Sequence, residues 1–198
     1  NVRTEHRKAL DSLAGQTDDM LAKTRQLAGI NSGSFNAQGV AQVAEQLAAW
    51  FRPLADTVET MATPPLRQLA DDGTFVDRPM GPTLVMRKRS GASRRVLLAG
   101  HLDRVFPQSS TFQAVDQRSD RLHGPGVADL KGGLVVMRQA LMALEQLPDA
   151  QSMGWTVVLN PDEEIGSIGS SPLLEHEARQ HDIGMIYEPS LPNGNLVA

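Results

Sequence analysis

The residues able to do chemistry in this sequence are acids and one histidine, and they fall where short apolar runs end. Val96-Leu97-Leu98-Ala99 leads into Gly100-His101-Leu102-Asp103, and a glycine-rich stretch, Gly124 to Ala128, delivers Asp129 to the mouth of a long apolar-periodic segment. Val157-Val158-Leu159 ends in Asn160-Pro161-Asp162-Glu163-Glu164, and the run from Ile183 to Tyr187 ends in Glu188-Pro189. Singly, each has an ordinary explanation. Asp129 reads as a helix N-cap, residues 162–164 as a solvated acidic turn, Glu188 as a loop acid and His101 as a hydrogen-bonded surface residue. Brought to one edge, they place one imidazole among at least three carboxylates, and like charges repel unless a cation sits between them. There is no cysteine, which excludes disulfides, thiolate catalysis and cysteine-ligated metal. Oxygen donors with few imidazoles suit zinc, manganese or cobalt, and the lack of thiolate points to a catalytic rather than a structural site. No Gly-x-Ser-x-Gly elbow occurs, which argues against a serine hydrolase.

The elements that must position these residues follow from periodicity. Leu10, Leu13, Thr17, Met20, Leu21, Thr24 and Leu27 mark one face of a first helix, weakened at Gly15. Asn31-Ser32-Gly33-Ser34 breaks it. Asn36 caps a second helix with Val40, Val43, Leu47, Trp50 and Phe51 on its apolar side, ended by Pro53. Strands are expected at 57–61, 83–86, 96–99, 156–159 and 183–187, with a turn at Asp71-Asp72-Gly73. The second and third of these strands are expected to form a hairpin across the basic tip Arg87 to Arg95. Helices are expected after Asp129, with Leu130, Leu134, Met137, Leu141 and Leu144 buried, and over 172–180. Strands alternating with helices imply an α/β fold, a sheet with helices on both faces.

Composition excludes several partners. The net charge of −4 and an aromatic content of 4% argue against a nucleic-acid surface, and the basic tip reads as solvated. No apolar run approaches the roughly 18 residues of a membrane span, so no membrane partner is expected. A cytoplasmic location is expected. Because the first residue is Asn1, a removed signal peptide and a periplasmic or secreted protein form the alternative.

Three stretches together resemble one known family. They are Gly100-His101-Leu102-Asp103 with Val105-Phe106-Pro107, Gly124 through Gly133, and Asn160 through Ser167; the Glu188-Pro189 pair matches a fourth signature. The family is the co-catalytic zinc hydrolases that include glutamate carboxypeptidase, aminoacylase, acetylornithine deacetylase and succinyl-diaminopimelate desuccinylase, and the wording is nearest to glutamate carboxypeptidase. The resemblance implies a three-layer α/β sandwich with a mixed sheet, of which residues 1–198 form the N-terminal part of the catalytic domain. The dimerisation domain and the C-terminal part of the catalytic domain would lie outside it. It implies two zinc ions per complete active site, with cobalt or manganese as substitutes. Asp129 would bridge both metals, His101 and Glu188 would complete the first metal's ligands, and Glu164 would bind the second. Asp103 would fix the tautomer of His101, and Glu163 would be the general base acting on a metal-bridging water. The implied reaction is cleavage of an amide bond in a small peptide or N-acyl amino acid, by a homodimer formed through the outlying domain. The Asp129–Leu130 peptide is expected to be cis. Arg104 departs from the pattern, standing where the family usually has a small Thr. The resemblance implies a further histidine ligand, to the second metal, beyond Ala198; His6, His123, His176 and His181 read as surface residues and not as substitutes for it. The alternative is a truncated, inactive fragment of such an enzyme that binds metal weakly or not at all.

Overall fold

The computed structural model describes residues 3–191. The first apolar stripe forms two helices rather than one, α1 (Thr4–Asp11) and α2 (Thr17–Ala28). The break lies at 12–16, where Leu13 and Ala14 donate to the carbonyls of Leu10 and Asp11 and Ser12 Oγ turns back to Ala9 O at 2.6 Å. These tighter i→i−3 bonds, next to the helix-weakening Gly15, end the first helix and leave Leu10 exposed. Helix α3 (Ala37–Phe51) starts as expected: Asn36 Oδ1 accepts from the Gly39 amide at 3.2 Å, and its amide donates to Asn31 O at 2.6 Å. A Cβ on Gly39 would lie 1.7 Å from Asn31 O, so only glycine lets the 31–36 turn close onto the helix.

Strand β1 (Thr57–Met61) is followed by the hairpin β2 (Leu66–Leu69) and β3 (Phe75–Arg78) about the Asp72-Gly73 turn. Then come β4 (Thr83–Lys88), β5 (Arg94–His101) and a small hairpin, β6 (Asp116–Arg118) with β7 (Arg121–His123). Helix α4 (Gly132–Leu144), β8 (Met153–Asn160), α5 (Ser171–Ala178) and β9 (Ile183–Ile186) complete the order.

The main sheet runs β1-β4-β8-β5-β9, with β1–β4 and β4–β8 antiparallel and β8–β5 and β5–β9 parallel. The expected β4–β5 hairpin is therefore not formed, because β8 lies between the two strands. Strand β8 is buried from Gly154 to Asn160 and needs a partner along each edge, which β4 and β5 supply. The basic tip is correspondingly not free. Arg89 Nε donates to Met153 O at 2.6 Å and its guanidinium grips Glu145 at 2.8 and 2.5 Å, which carries the 89–93 segment across the start of β8.

Alternation along the strands separates two cores. Leu84, Met86, Leu98, Val157 and Leu159 pack with α2, α3 and α4, whereas Val85, Leu97 and Val158 pack against Leu173 and Leu174 of α5. Helices thus lie on both faces. From β5 the chain crosses by α4 to β8 on one side, and from β8 by α5 back past β5 to β9. Right-handed crossovers in opposite directions require the two helices to lie on opposite faces. The carboxyl ends of β8 and β5 form the switch point at which such sheets bind ligands.

Candidate metal centre

His101 is the last residue of β5 and is fully buried, fixed by the ladder pairing with Asn160 at the end of β8. Its Nδ1 lies 3.1 Å from Asp103 Oδ1 and its Nε2 lies 2.9 Å from Asp129 Oδ1. Glu188 Oε1 and Glu163 Oε2 stand 3.7 and 3.9 Å from the same Nε2. The side chains fall into two overlapping sets, His101 with Glu163 and Glu188, and His101 with Asp129 and Glu164, with the ligand atoms of each set within 4.8 Å of one another. All the residues expected at one site are therefore brought together, and Glu163 stands at the rim.

Local structure explains each placement. Asp129 is no N-cap. It lies inside a wide turn, Val127–Lys131, with non-helical φ −120° and ψ 95°, and its bond to Leu130 is cis, as expected. Gly133, in the first turn of α4, would set a Cβ 2.6 Å from Tyr187 O, so glycine there lets the segment before Glu188 approach the Asp129 turn. The turn carrying Glu163 and Glu164 is built on buried Asp162, which accepts from Ser170 Oγ at 2.5 Å and from the Gly169 amide at 2.7 Å.

Asp103 does more than orient the imidazole. Besides His101 it accepts from Ser34 Oγ at 2.7 Å and from the backbone amides of Glu163 and Glu164, each at 3.2 Å. One carboxylate thus ties the β5 end, the 31–36 turn and the acidic turn together. Lys131, fully buried, donates to the carbonyls of Leu102 and Asp103 at 2.7 Å each. Sequence alone gives Ser34 and Lys131 no role: Ser34 lies in a stretch that reads only as a helix breaker, and Lys131 lies within the Gly124 to Gly133 stretch with nothing to single it out. Arg104 turns away from the centre. It is buried and donates to Ala28 O at 3.0 Å and to Gln113 Oε1 at 2.6 Å. Of the remaining histidines, His181 is not a simple surface residue, since it is half-buried between Glu177 O at 2.6 Å and Thr156 Oγ1 at 2.9 Å.

The electrostatics match crowded acids around an imidazole. Burial alone would push the His101 pKa down, but hydrogen bonds to Asp103 and Asp129 outweigh it and raise the value to about 10. The Asp129 carboxyl is held below its ordinary range, first by its hydrogen bond to His101. Glu164 and Glu188 are pushed up, first by burial and then by the neighbouring carboxylates, with His101 pulling the other way. Burial lowers Lys131 to about 8.

Known proteins are similar to this chain in sequence or in fold. Carboxypeptidase G2 of Pseudomonas sp. (strain RS-16) is 29% identical over 165 residues, which is 83% of this chain and 37% of that protein. Acetylornithine deacetylase of Vibrio campbellii (strain ATCC BAA-1116) is 27% identical over 157 residues, 77% of this chain and 37% of that protein. The chain thus spans about 37% of the length of these relatives. Among solved structures, human carnosine dipeptidase 1 superposes with a TM-score of 0.76 at 18% identity, over 94% of this chain and 42% of that one, a likeness of fold. The profile of peptidase family M20/M25/M40 matches residues 97–198, the half of the sequence that holds every residue of the cluster, and the chain belongs to that family.

Proposed function

We propose that this chain supplies the metal-binding half of a zinc-dependent hydrolase that cleaves an amide bond in a peptide or N-acyl amino acid. The observation that carries the reading is the cluster itself: Asp129, Glu163, Glu164 and Glu188 converge on the single imidazole of His101. The fit to a metal rests on that donor set. Burial and mutual repulsion already press Glu164 and Glu188 toward their neutral forms, and a divalent cation among them would relieve both. Oxygen donors with one imidazole and no thiolate suit zinc, with cobalt or manganese as substitutes.

His101, Asp129 and Glu188 would hold one ion, and Asp129 with Glu164 a second. Zinc held there would supply Lewis acidity, lowering the pKa of a bound water and polarising the scissile carbonyl. The chain's own residues do the rest. Asp103 accepts from His101 Nδ1, so the neutral imidazole that a bound ion requires would present its Nε2 lone pair to the centre. Glu163 is 46% exposed while its backbone amide is fixed on Asp103, so its carboxylate is open to solvent at the rim of the cluster and rises from a fixed backbone. It takes the proton of the attacking water as oxygen bonds to the carbonyl carbon. The same proton passes to the amide nitrogen as the carbon–nitrogen bond breaks.

Glu163→Gln in the product of the complete gene tests the assignment, assayed on N-acyl amino acids and dipeptides with added zinc. Zinc content should stay near that of the parent while turnover falls about 10²–10⁴-fold, because an amide cannot accept the proton. A zinc-loaded Gln variant with near-normal turnover would refute the role of Glu163. A parent protein that binds no zinc would remove the metal reading itself.

A further inference from the structure

A cleft of about 570 Å³ opens beside the centre, on the side of Glu164, and Phe35, Val105, Pro107 and Ile165 form its apolar lining. Glu164 is the one charged residue among those lining it. Phe35 and Val105 leave half or more of their surface open, at 50% and 59%. Large apolar side chains open to a concavity beside a reactive centre mark a binding wall rather than a core.

Both walls are built before any ligand arrives. Phe35 stands between Ser34, whose Oγ is bound to Asp103 at 2.7 Å, and Asn36, the cap of α3. Opposite, the Val105 amide donates to Glu164 Oε1 at 3.1 Å. The segment after it is tied down from beneath by Arg104, which reaches Gln113 at 2.6 Å, and the Gln113 amide in turn donates to Pro107 O and Ser110 O at 2.9 Å each. Arg104 thus spends its charge under the wall and offers none to the cleft. The lining holds one acid and no cation, which disfavours a carboxylate there, and Arg78 stands over the Phe35 ring, 6.0 Å from its centroid. The volume falls in the range of about 300–1,000 Å³ typical of small-molecule sites.

We propose that this cleft selects a neutral apolar group of the substrate, an aromatic ring or branched aliphatic chain next to the scissile amide, with Phe35 and Val105 as the selecting residues. The proposal rests on the reading of the centre given above. Glu164, shared by cleft and cluster, sets the distance between the two.

Hydroxamates test it, because one zinc-binding headgroup can carry different side groups. Calorimetric titration of the zinc-loaded chain should find benzohydroxamate bound about tenfold or more tighter than acetohydroxamate, as burial of a phenyl ring requires. The anionic succinohydroxamate should bind no tighter than acetohydroxamate. Phe35→Ala and Val105→Ala, compared with the parent at equal zinc loading, should each bring the benzo-to-aceto ratio down to about threefold or less. Phe75→Ala, which removes a ring 61% exposed on the β2–β3 hairpin, should leave the ratio as it was. Zinc binding with equal affinity for the two neutral probes, or a ratio unmoved by Phe35→Ala, overturns the cleft assignment and leaves the metal reading standing. A chain that takes up no zinc overturns both.

Discussion

Replacing Asp103 by asparagine keeps the size of the side chain and halves what it can accept. Four donors converge on its two oxygens, from His101, Ser34 and the amides of Glu163 and Glu164, and an amide nitrogen would face at least one of them. Asp103→Asn should therefore lower zinc affinity about 10–100-fold, the usual cost of losing a carboxylate that orients a liganding histidine. A competition titration against a chromophoric chelator measures it, and parental affinity would show that His101 is oriented by something else. The acids and His101 were legible in the sequence because strand ends are where open α/β sheets present side chains. Ser34 was not, because its partner lies 69 residues away and nothing in a turn-like Asn-Ser-Gly-Ser stretch announces a distant carboxylate. Arg104 was legible as a departure but not in its direction, which depends on the packing of α2 and the 105–113 segment.

At the scale of elements, the Arg89–Glu145 pair replaces the hairpin that local pattern suggests. It joins the end of β4 to the end of α4, and Trp155 Nε1 on β8 donates to the same carboxylate at 2.9 Å. Burial would raise the Glu145 pKa, but the hydrogen bonds from Arg89 and Trp155 outweigh it and hold the value below the usual glutamate range. A depressed folded pKa contributes stability above the unfolded value of about 4.3, and that contribution is lost as pH falls through the folded value. Glu145→Gln should thus cost about 1–3 kcal/mol at pH 7 and flatten the loss of stability below about pH 4.5. Denaturant unfolding from pH 7 to pH 3 measures both effects, and parallel curves for parent and variant would remove Glu145 from the account. The five strands of the main sheet were readable as short runs, whereas β2, β3, β6 and β7, which are almost wholly exposed and carry no buried face to pattern them, were not. The order of the five was not readable either, because a short basic connection between two such runs is equally compatible with pairing and with a step over a third strand.

For the whole molecule, the single shared imidazole fixes a stoichiometry. Among the described residues both candidate ligand sets depend on His101, so a second ion would rest on carboxylates alone. Zinc titration of the 198-residue chain should show one tight site and a second weaker by about tenfold or more, since carboxylates without imidazole leave coordination to water. Two equally tight ions would require a donor that neither set contains. The place of β8 between β4 and β5 also carries a consequence for synthesis. Strand β5 ends at His101 and β8 begins at Met153, an interval the ribosome covers in about 3–10 s at roughly 5–20 residues per second. By a delay of that length β4 and β5 leave the ribosome ahead of the strand that separates them, joined by a connection short enough for them to pair with each other. Any pairing formed then would have to open before the central strand could enter. Hydrogen exchange on ribosome-stalled nascent chains should show protection across 83–99 before Met153 is made and a changed pattern once Asn160 has emerged, and an unprotected early chain would show that the two strands wait unpaired.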